Sequence, residues 1–561
     1  MRLALAQINT TVGDFAGNRA KMTAYARRAQ SAGAELVLFP ELSLCGYPPR
    51  DLVEKPDFIA RNRAELECLA QSTSGIRVIC GFVGPAPAES ARTAMNCAGL
   101  LDGGEVRFIQ QKMLLPNYDV FDEARHFWPA SSQSLVEIGG ARAALTICED
   151  IWNDKEHWKK RYYTRDPAEE LLRGGGDVLL NISASPYNLG KRELRRDMLR
   201  ALAIKHRVPV VLVNLVGGND SIVFDGSSCA IDVEGNVRAS AASFEEDLVF
   251  YDTASNSGDR HAETPEGAES VYAALVLGAR DYVKKCGFAR AIVGLSGGID
   301  SALTACLAME ALGAANVTGV AMPGPYNSPD SLEDAAVMAK HLGIQFLEIP
   351  IHAPFAAYRA ALKPAFAGRA EDVTEENLQS RIRGTTLMAL SNKFQALVFS
   401  TGNKSEMAVG YATLYGDMCG GLALLADVPK TMVYELSRLA NTRLNGAIPE
   451  RVFTKAPSAE LRPNQKDSDS LPEYSVLDPV LKAYIEEYQA PERISQDLHL
   501  PIELVRDICW RVDRNEYKRQ QAAPGIRVTS KAFGPGRRFP IAQKYAEGPE
   551  AKHERAYVEH Q

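Results

Sequence analysis

Two sets of side chains in this sequence are spaced to do chemistry. The first is Ser296-Gly-Gly-Ile-Asp-Ser301, which lies between the apolar run Ala291-Ile-Val-Gly-Leu295 and a second apolar run that begins at Ala302. That order predicts strand, glycine turn and helix. Gly297 and Gly298 permit a tight turn with uncovered amide N–H groups, and two hydroxyls flank them. The start of a helix adds partial positive charge. Together these make a cradle for a phosphate or pyrophosphate. Asp300 would repel a bare phosphate, so its place here implies a metal ion shared with the anion. The second set is Glu41, Lys112 and Cys148, each just past an apolar run. A carboxylate can take a thiol proton, and an ammonium can stabilise both a thiolate and an oxyanion. A thiolate can attack an amide carbon to form a thioester.

Three readings compete for residues 294–301. One is a plain strand-to-helix turn. Another is a serine nucleophile elbow, because Gly294-Leu-Ser296-Gly-Gly298 fits G-x-S-x-G. That reading needs a late histidine, and His341, His352, His499, His553 and His560 stand in no distinctive context. The third is the pyrophosphate loop of enzymes that adenylate a substrate with ATP, and it alone accounts for Gly298, Asp300 and Ser301 together. A Walker loop is ruled out by the lack of a Gly-Lys-Ser/Thr ending.

The elements that must position these residues follow from hydrophobic patterning. Short apolar strands are expected at 3–8, 35–39, 76–82, 106–110, 143–147, 177–182 and 209–214, with helices near 17–33, 57–72, 165–174 and 191–207. This is a layered α/β unit over residues 1–252. If Glu41, Lys112 and Cys148 follow neighbouring parallel strands, one sheet end gathers them. Residues 253–267 are polar and rich in small residues, as a linker would be. From 268 to 545 a helix leads into strands at 291–295, 317–322, 345–349 and 396–400 with helices between, which predicts a doubly wound parallel sheet. Beyond about 425 the pattern is mainly helical, and 546–561 is a polar tail. A chain of 561 residues exceeds one ordinary core. With 63 basic and 70 acidic residues its net charge is -7, which offers no general attraction to nucleic acid or an anionic membrane. No apolar run reaches the ~20 residues of a span. Its ten cysteines form no C-x-x-C pair, so a cytoplasmic location is expected, without a zinc ribbon.

On these residues the first half resembles the nitrilase, or carbon–nitrogen hydrolase, superfamily, with an α-β-β-α sandwich and a Glu-Lys-Cys triad. The second half resembles the N-type pyrophosphate-loop NAD synthetases, with a Rossmann-like ATP pyrophosphatase fold. The segments that carry this second likeness are 296–301, 377–383, 400–406, 410–420, 457–464 and 517–518. The two joined resemble the glutamine-dependent NAD synthetases. The resemblance implies that Glu41, Lys112 and Cys148 release ammonia from glutamine, that Tyr118, Ser185 and Lys191 bind the glutamine, and that Glu123 is an auxiliary carboxylate beside Lys112. It implies that Gly294, Leu295, Ser296, Gly297, Gly298, Ile299, Asp300, Ser301 and Thr401 bind ATP, with Lys430 adding charge. Asp300 and Glu406 would hold magnesium. Asn377, Glu406 and Lys518 would bind deamido-NAD, while Arg381, Arg383 and Asp417 lie in matching segments. ATP is then a co-substrate, and the protein a homo-oligomer without nucleic-acid or membrane partners. One departure is Asn219 and Ser221, where the family more often has Gln and Glu, which argues against a polar role for that loop.

Other classes remain. A tRNA-modifying adenylating enzyme would be expected to carry a basic RNA-binding domain and paired cysteines. A nucleotide sensor would be expected to have lost part of the Glu-Lys-Cys set, and a stand-alone amidase would not need the 296–301 loop. Near pH 7 ammonia in water is mostly ammonium, which is not a nucleophile, so transfer within one chain calls for a dry passage that disfavours the charged form. Glutamine-driven synthesis should therefore survive a reagent that scavenges free ammonia. Strong inhibition would rule the passage out.

Overall fold

The computed structural model describes residues 1–543 and 545. The proposed tail at 546–561 lies outside them. The chain divides into two compact units, Met1–Leu277 and Gly278–Gln561.

The strands of the first unit, in chain order, are β1 (Arg2–Gln7), β2 (Leu36–Leu38), β3 (Arg77–Pro85), β4 (Ala94–Asp102), β5 (Glu105–Gln111), β6 (Val136–Ile138), β7 (Ala141–Ile147), β8 (Val178–Ser183), β9 (Val210–Asn214), β10 (Val216–Asn219), β11 (Ile222–Asp225), β12 (Cys229–Ile231), β13 (Val237–Ser240), β14 (Asp247–Asp252) and β15 (Ser257–Gly258). Seven form one sheet in the order β15-β14-β1-β2-β3-β4-β5, and six form another in the order β13-β12-β9-β8-β7-β6. Successive side chains point to opposite faces of a strand, so residues two apart share a face, which builds the layers. Leu3 and Leu5 of β1, Leu145 and Ile147 of β7, and Leu180 and Ile182 of β8 meet in one core between the two sheets. Ala4 and Ala6 of β1 turn the other way, toward the helices Phe15–Ser31 and Pro56–Ser72. Ala144 of β7 and Leu179 of β8 likewise pack on the helices Pro167–Arg173 and Lys191–His206. The result is an α-β-β-α sandwich. Its central strands are covered on both faces, so they read as continuous apolar runs.

The expected linker is not loose. Ser257 and Gly258 pair with Asp252 and Tyr251 of β14 as an edge strand. Farther along, Thr264 accepts from Arg192 at 2.8 Å and Glu263 pairs with Arg196.

In the second unit β16 (Ala291–Gly294), β17 (Val317–Ala321), β18 (Gln345–Glu348), β19 (Leu397–Ser400) and β20 (Leu422–Ala423) form a parallel sheet in the order β18-β17-β16-β19-β20. The order reverses at β16, whose carboxyl end leads into residues 295–298 and the helix Ile299–Leu312. Open α/β sheets bind ligands at that point. Among the described residues from 430 onward, helices dominate. No helix among the described residues is long and apolar enough to cross a membrane.

Gly81 of β3 shows how tightly the first unit holds its reactive turn. A Cβ there would stand 2.0 Å from the backbone nitrogen of Leu42 and 2.7 Å from the Cα of Glu41. Gly81→Ala should push that turn off the strand. We expect a loss of roughly 1–3 kcal/mol in the stability of the first unit, which thermal melts check.

Candidate active site

Glu41, Lys112 and Cys148 do converge, but not from neighbouring strands of one sheet. Glu41 follows β2 and Lys112 follows β5, which lie in the same sheet with β3 and β4 between them. Cys148 follows β7 of the facing sheet and opens a short 3-10 turn, Cys148–Ile151, with its φ at 41°. The reversals at β4 and β5 leave β5 running with β2, so Glu41 and Lys112 share a sheet end. Asp150 ties the second sheet to it. Its carboxylate accepts from Met113 N at 3.1 Å and Leu114 N at 2.9 Å, next to Lys112, and from Ile147 N at 3.1 Å.

Lys112 Nζ donates to Glu41 Oε1 at 2.7 Å and to both oxygens of Glu123 at 2.9 Å. All three side chains are buried. The other partners are also fixed. Asn96 donates to Glu41 Oε1 at 2.7 Å, Ala184 N to Glu41 Oε2 at 2.9 Å, and Tyr47 OH to Glu123 Oε1 at 2.8 Å. Burial works against the Lys112 ammonium, yet Glu123 and Glu41 hold it well above its ordinary range. Burial pushes Glu123 up to about 7, against the pull of Lys112. Burial, then the Glu41 charge, raises the Cys148 thiol well above its usual range, with Lys112 opposing. A thiol raised in this way is protonated near neutral pH, so any attack by its sulfur would need an adjacent base.

Glu149, adjacent in sequence to the thiol, was not singled out from the sequence. It is buried and accepts from Tyr118 OH at 2.8 Å and Tyr163 OH at 3.2 Å. Tyr162 stacks on Tyr118, with ring centroids 4.7 Å apart. Lys191 Nζ lies 5.8 Å from the Phe121 ring centroid and 5.5 Å from that of Trp152. Ser185 is buried, and its amide donates to Asn214 Oδ1 at 2.8 Å. Asn219 does have a polar contact, contrary to expectation: its Nδ2 donates to Tyr47 O at 2.9 Å and so braces the Glu123 partner.

In the second unit, residues 294–301 and Thr401 all line one cleft. Gly297 has φ 76°, and a Cβ there would meet Ser331 O at 2.4 Å, so glycine is required twice over. Ser301 Oγ donates to Gly298 O at 2.9 Å, and Ser296 Oγ lies 3.1 Å from Ser301 Oγ, which fixes the cradle before any ligand arrives.

Asp300, Glu406 and Lys430 meet on the cleft wall. Lys430 Nζ donates to Asp300 Oδ2 at 2.5 Å and Glu406 Oε1 at 3.2 Å. Asn403 N-caps the helix Lys404–Val409 through Glu406 N and donates to Asp300 Oδ1 at 2.8 Å. Burial, with Lys430 opposing and the nearby charges of Asp300 and Asp467 adding, raises Glu406 to about 8. Carboxylates outnumber the ammonium here, so this set of hard oxygens suits a divalent cation.

Asn377 and Lys518 do not line that cleft with Glu406. They gather around the 410–417 loop, where Asn377 Oδ1 accepts from Thr413 at 2.8 Å and Lys518 Nζ donates to Gly410 O and Ala412 O. Arg381 reaches Leu414 O there at 3.2 Å. Asp417 accepts from Thr413 N at 2.8 Å, lines the cleft, and is raised to about 6 by burial. Arg383 lines the cleft and is lowered to about 10 by burial.

Alkylation of Cys148 offers a direct check on its raised thiol. A raised value means the thiolate appears only at higher pH. Iodoacetamide labelling of Cys148, read by mass spectrometry, should keep climbing from pH 8 to 10.

Comparison with known proteins bears on both units. Residues 2–259 match the family model for carbon–nitrogen hydrolase, and residues 271–522 that for NAD synthase. A glutamine-dependent NAD(+) synthetase of Synechocystis is 47% identical over 552 residues, covering 97% of this chain and 99% of its own. Its counterpart in Thermotoga maritima is 44% identical over 587 residues, covering 98% and 99%. The solved glutamine-dependent NAD+ synthetase of Acinetobacter baumannii, in complex with ADP, is 40% identical with a TM-score of 0.76, covering 96% of this chain and 98% of that one.

Proposed function

The chain belongs to the glutamine-dependent NAD synthetases, and from that membership we propose how its residues divide the reaction. In the first unit Glu41 takes the thiol proton as Cys148 Sγ attacks the side-chain amide carbon of glutamine. Lys112, held by Glu41 and Glu123, stabilises the oxyanion. The C–N bond breaks, the leaving nitrogen takes the proton, and ammonia departs from a thioester. Glu41 then takes a proton from water, which attacks the thioester and frees glutamate and thiol. The phenol-bound carboxylate of Glu149 is suited to the α-ammonium of glutamine, and Lys191 to its α-carboxylate, with Tyr118 and Ser185 lining the pocket.

In the second unit the nicotinate carboxylate of deamido-NAD attacks the α-phosphorus of ATP, and the bond to the β-phosphate oxygen breaks. Ser296, Gly297, Gly298 and Ser301 receive the departing pyrophosphate charge. Ammonia attacks the carbonyl of the mixed anhydride, AMP leaves, and NAD remains. Magnesium, held by Asp300 and Glu406, would neutralise phosphate charge. Lys430 then contributes a fixed cation beside it. Asn377, Lys518, Arg381 and Asp417 form the proposed deamido-NAD side. A cytoplasmic location and a homo-oligomeric state belong to the same reading. The ten free thiols agree with the first, and light scattering tests the second.

The buried Lys112 with its two carboxylates beside a buried thiol is the observation that carries the donor half. Wild-type protein given ATP, magnesium, deamido-NAD and glutamine should yield NAD, AMP and glutamate. Cys148→Ala should lower glutamine-driven synthesis by roughly 10⁴-fold or more while synthesis from added ammonium chloride persists. Loss of both activities in a folded variant would refute this division. Asp300→Asn should reverse the pattern, sparing glutamine hydrolysis and suppressing synthesis from either nitrogen source.

A further inference from the structure

A second ionic cluster lines the nucleotide cleft, and the reaction as derived makes no use of it. Lys455 and Glu460 both face the cleft. Lys455 Nζ pairs with Glu460 Oε1 at 2.5 Å and donates to the hydroxyl of Ser331. Glu460 also accepts from Ser331 Oγ at 2.8 Å and from Asn327 Nδ2 at 3.0 Å. Asn327 in turn accepts from Arg383 at 2.8 Å. Lys455 thus pairs directly with Glu460, and Arg383 reaches the same cluster through Asn327, so two cations border this wall. Burial works against the Glu460 carboxylate, yet Lys455 and its hydroxyl and amide donors hold it below the usual range.

Position decides what this charge faces. Gly297 of the phosphate cradle abuts the backbone of Ser331. One residue thus separates the Lys455 ammonium from the loop that would receive pyrophosphate. Lys455 remains 30% exposed while Glu460 is 13% exposed, so the ammonium keeps access to the cleft. Glu460, with φ at 49°, lies in the stretch between the helix Glu450–Thr454 and the turn at Asp467.

We propose that Lys455 is a further residue of the adenylation step, moving from Glu460 to the departing pyrophosphate, with Glu460 as the positioning residue that competes for it. A phosphate oxygen and the Glu460 carboxylate are rival acceptors for one ammonium. Charge that grows on the leaving group favours the phosphate, and the carboxylate draws the ammonium back so that the product can go. This rests on the cleft being the ATP site.

The test is ATP–pyrophosphate exchange in the presence of deamido-NAD, with the inhibition constant for pyrophosphate measured in the forward direction. Lys455→Met should raise that constant about tenfold or more, and Lys455→Arg should restore most of the loss. Glu460→Gln should lower it several-fold, because the rival acceptor has lost its charge. A purely structural role predicts the same sign for both variants. Shifts in one direction, or an unchanged constant in Lys455→Met, would overturn the proposal. If Glu460→Gln melts far below wild type, the two Lys455 variants decide alone. An absence of exchange in wild-type protein would instead refute the assignment of the cleft itself.

Discussion

A lysine ammonium with no access to water organises the first unit. Burying such a charge costs several kcal/mol unless it is paired and fully hydrogen-bonded. Lys112 meets that condition with Glu41 on one side and Glu123 on the other. Each carboxylate is in turn held by Asn96, Ala184 N or Tyr47. The arrangement is fixed before substrate arrives, so little reorganisation is left for the chemical step. Burial first, and then the Glu41 charge, keep the neighbouring Cys148 thiol raised, with Lys112 opposing.

The second unit uses charge differently. Its glycine cradle is bound up in its own hydroxyl and carbonyl contacts, while the cations stand to either side, Lys430 on Asp300 and Lys455 on Glu460. Each ammonium is kept by a carboxylate that also lines the cleft. On the reading proposed above, a departing pyrophosphate competes with Glu460 for Lys455. The first unit, by contrast, gives its lysine no alternative partner.

Much of this could be read from the residues. The strands covered on both faces, such as β7 and β8, are mostly apolar, and the end of β7 points to Cys148. Residues 296–301 combine glycines, hydroxyls and an acid at a spacing that few turns would need. What could not be read was which sheet each strand joins. β4 (Ala94–Asp102) is rich in small residues, and the antiparallel reversals it and β5 introduce carry Lys112 to the same sheet end as Glu41 without making their strands neighbours. Glu149 and Asp150 sit beside the nucleophile in plain view, but an acid in a turn is ordinarily solvated, and only burial distinguishes these two. Asn403 is visible afterwards as the start of an Asn-x-x-Glu cap; its bond to Asp300 joins residues 103 apart in sequence.

The polar stretch after β14 has a consequence for how such a chain can be divided. Ser257 and Gly258 complete a sheet edge, and Glu263 and Thr264 engage Arg196 and Arg192. Both arginines ride on the helix whose first residue is Lys191. A gene split at codon 252 would therefore unfasten the helix that begins at Lys191, although Glu41, Lys112 and Cys148 would all remain on the amino-terminal fragment. A cut that spares these contacts lies beyond Ser270, whose hydroxyl meets Tyr187, on the far side of what looks, letter by letter, like a tether.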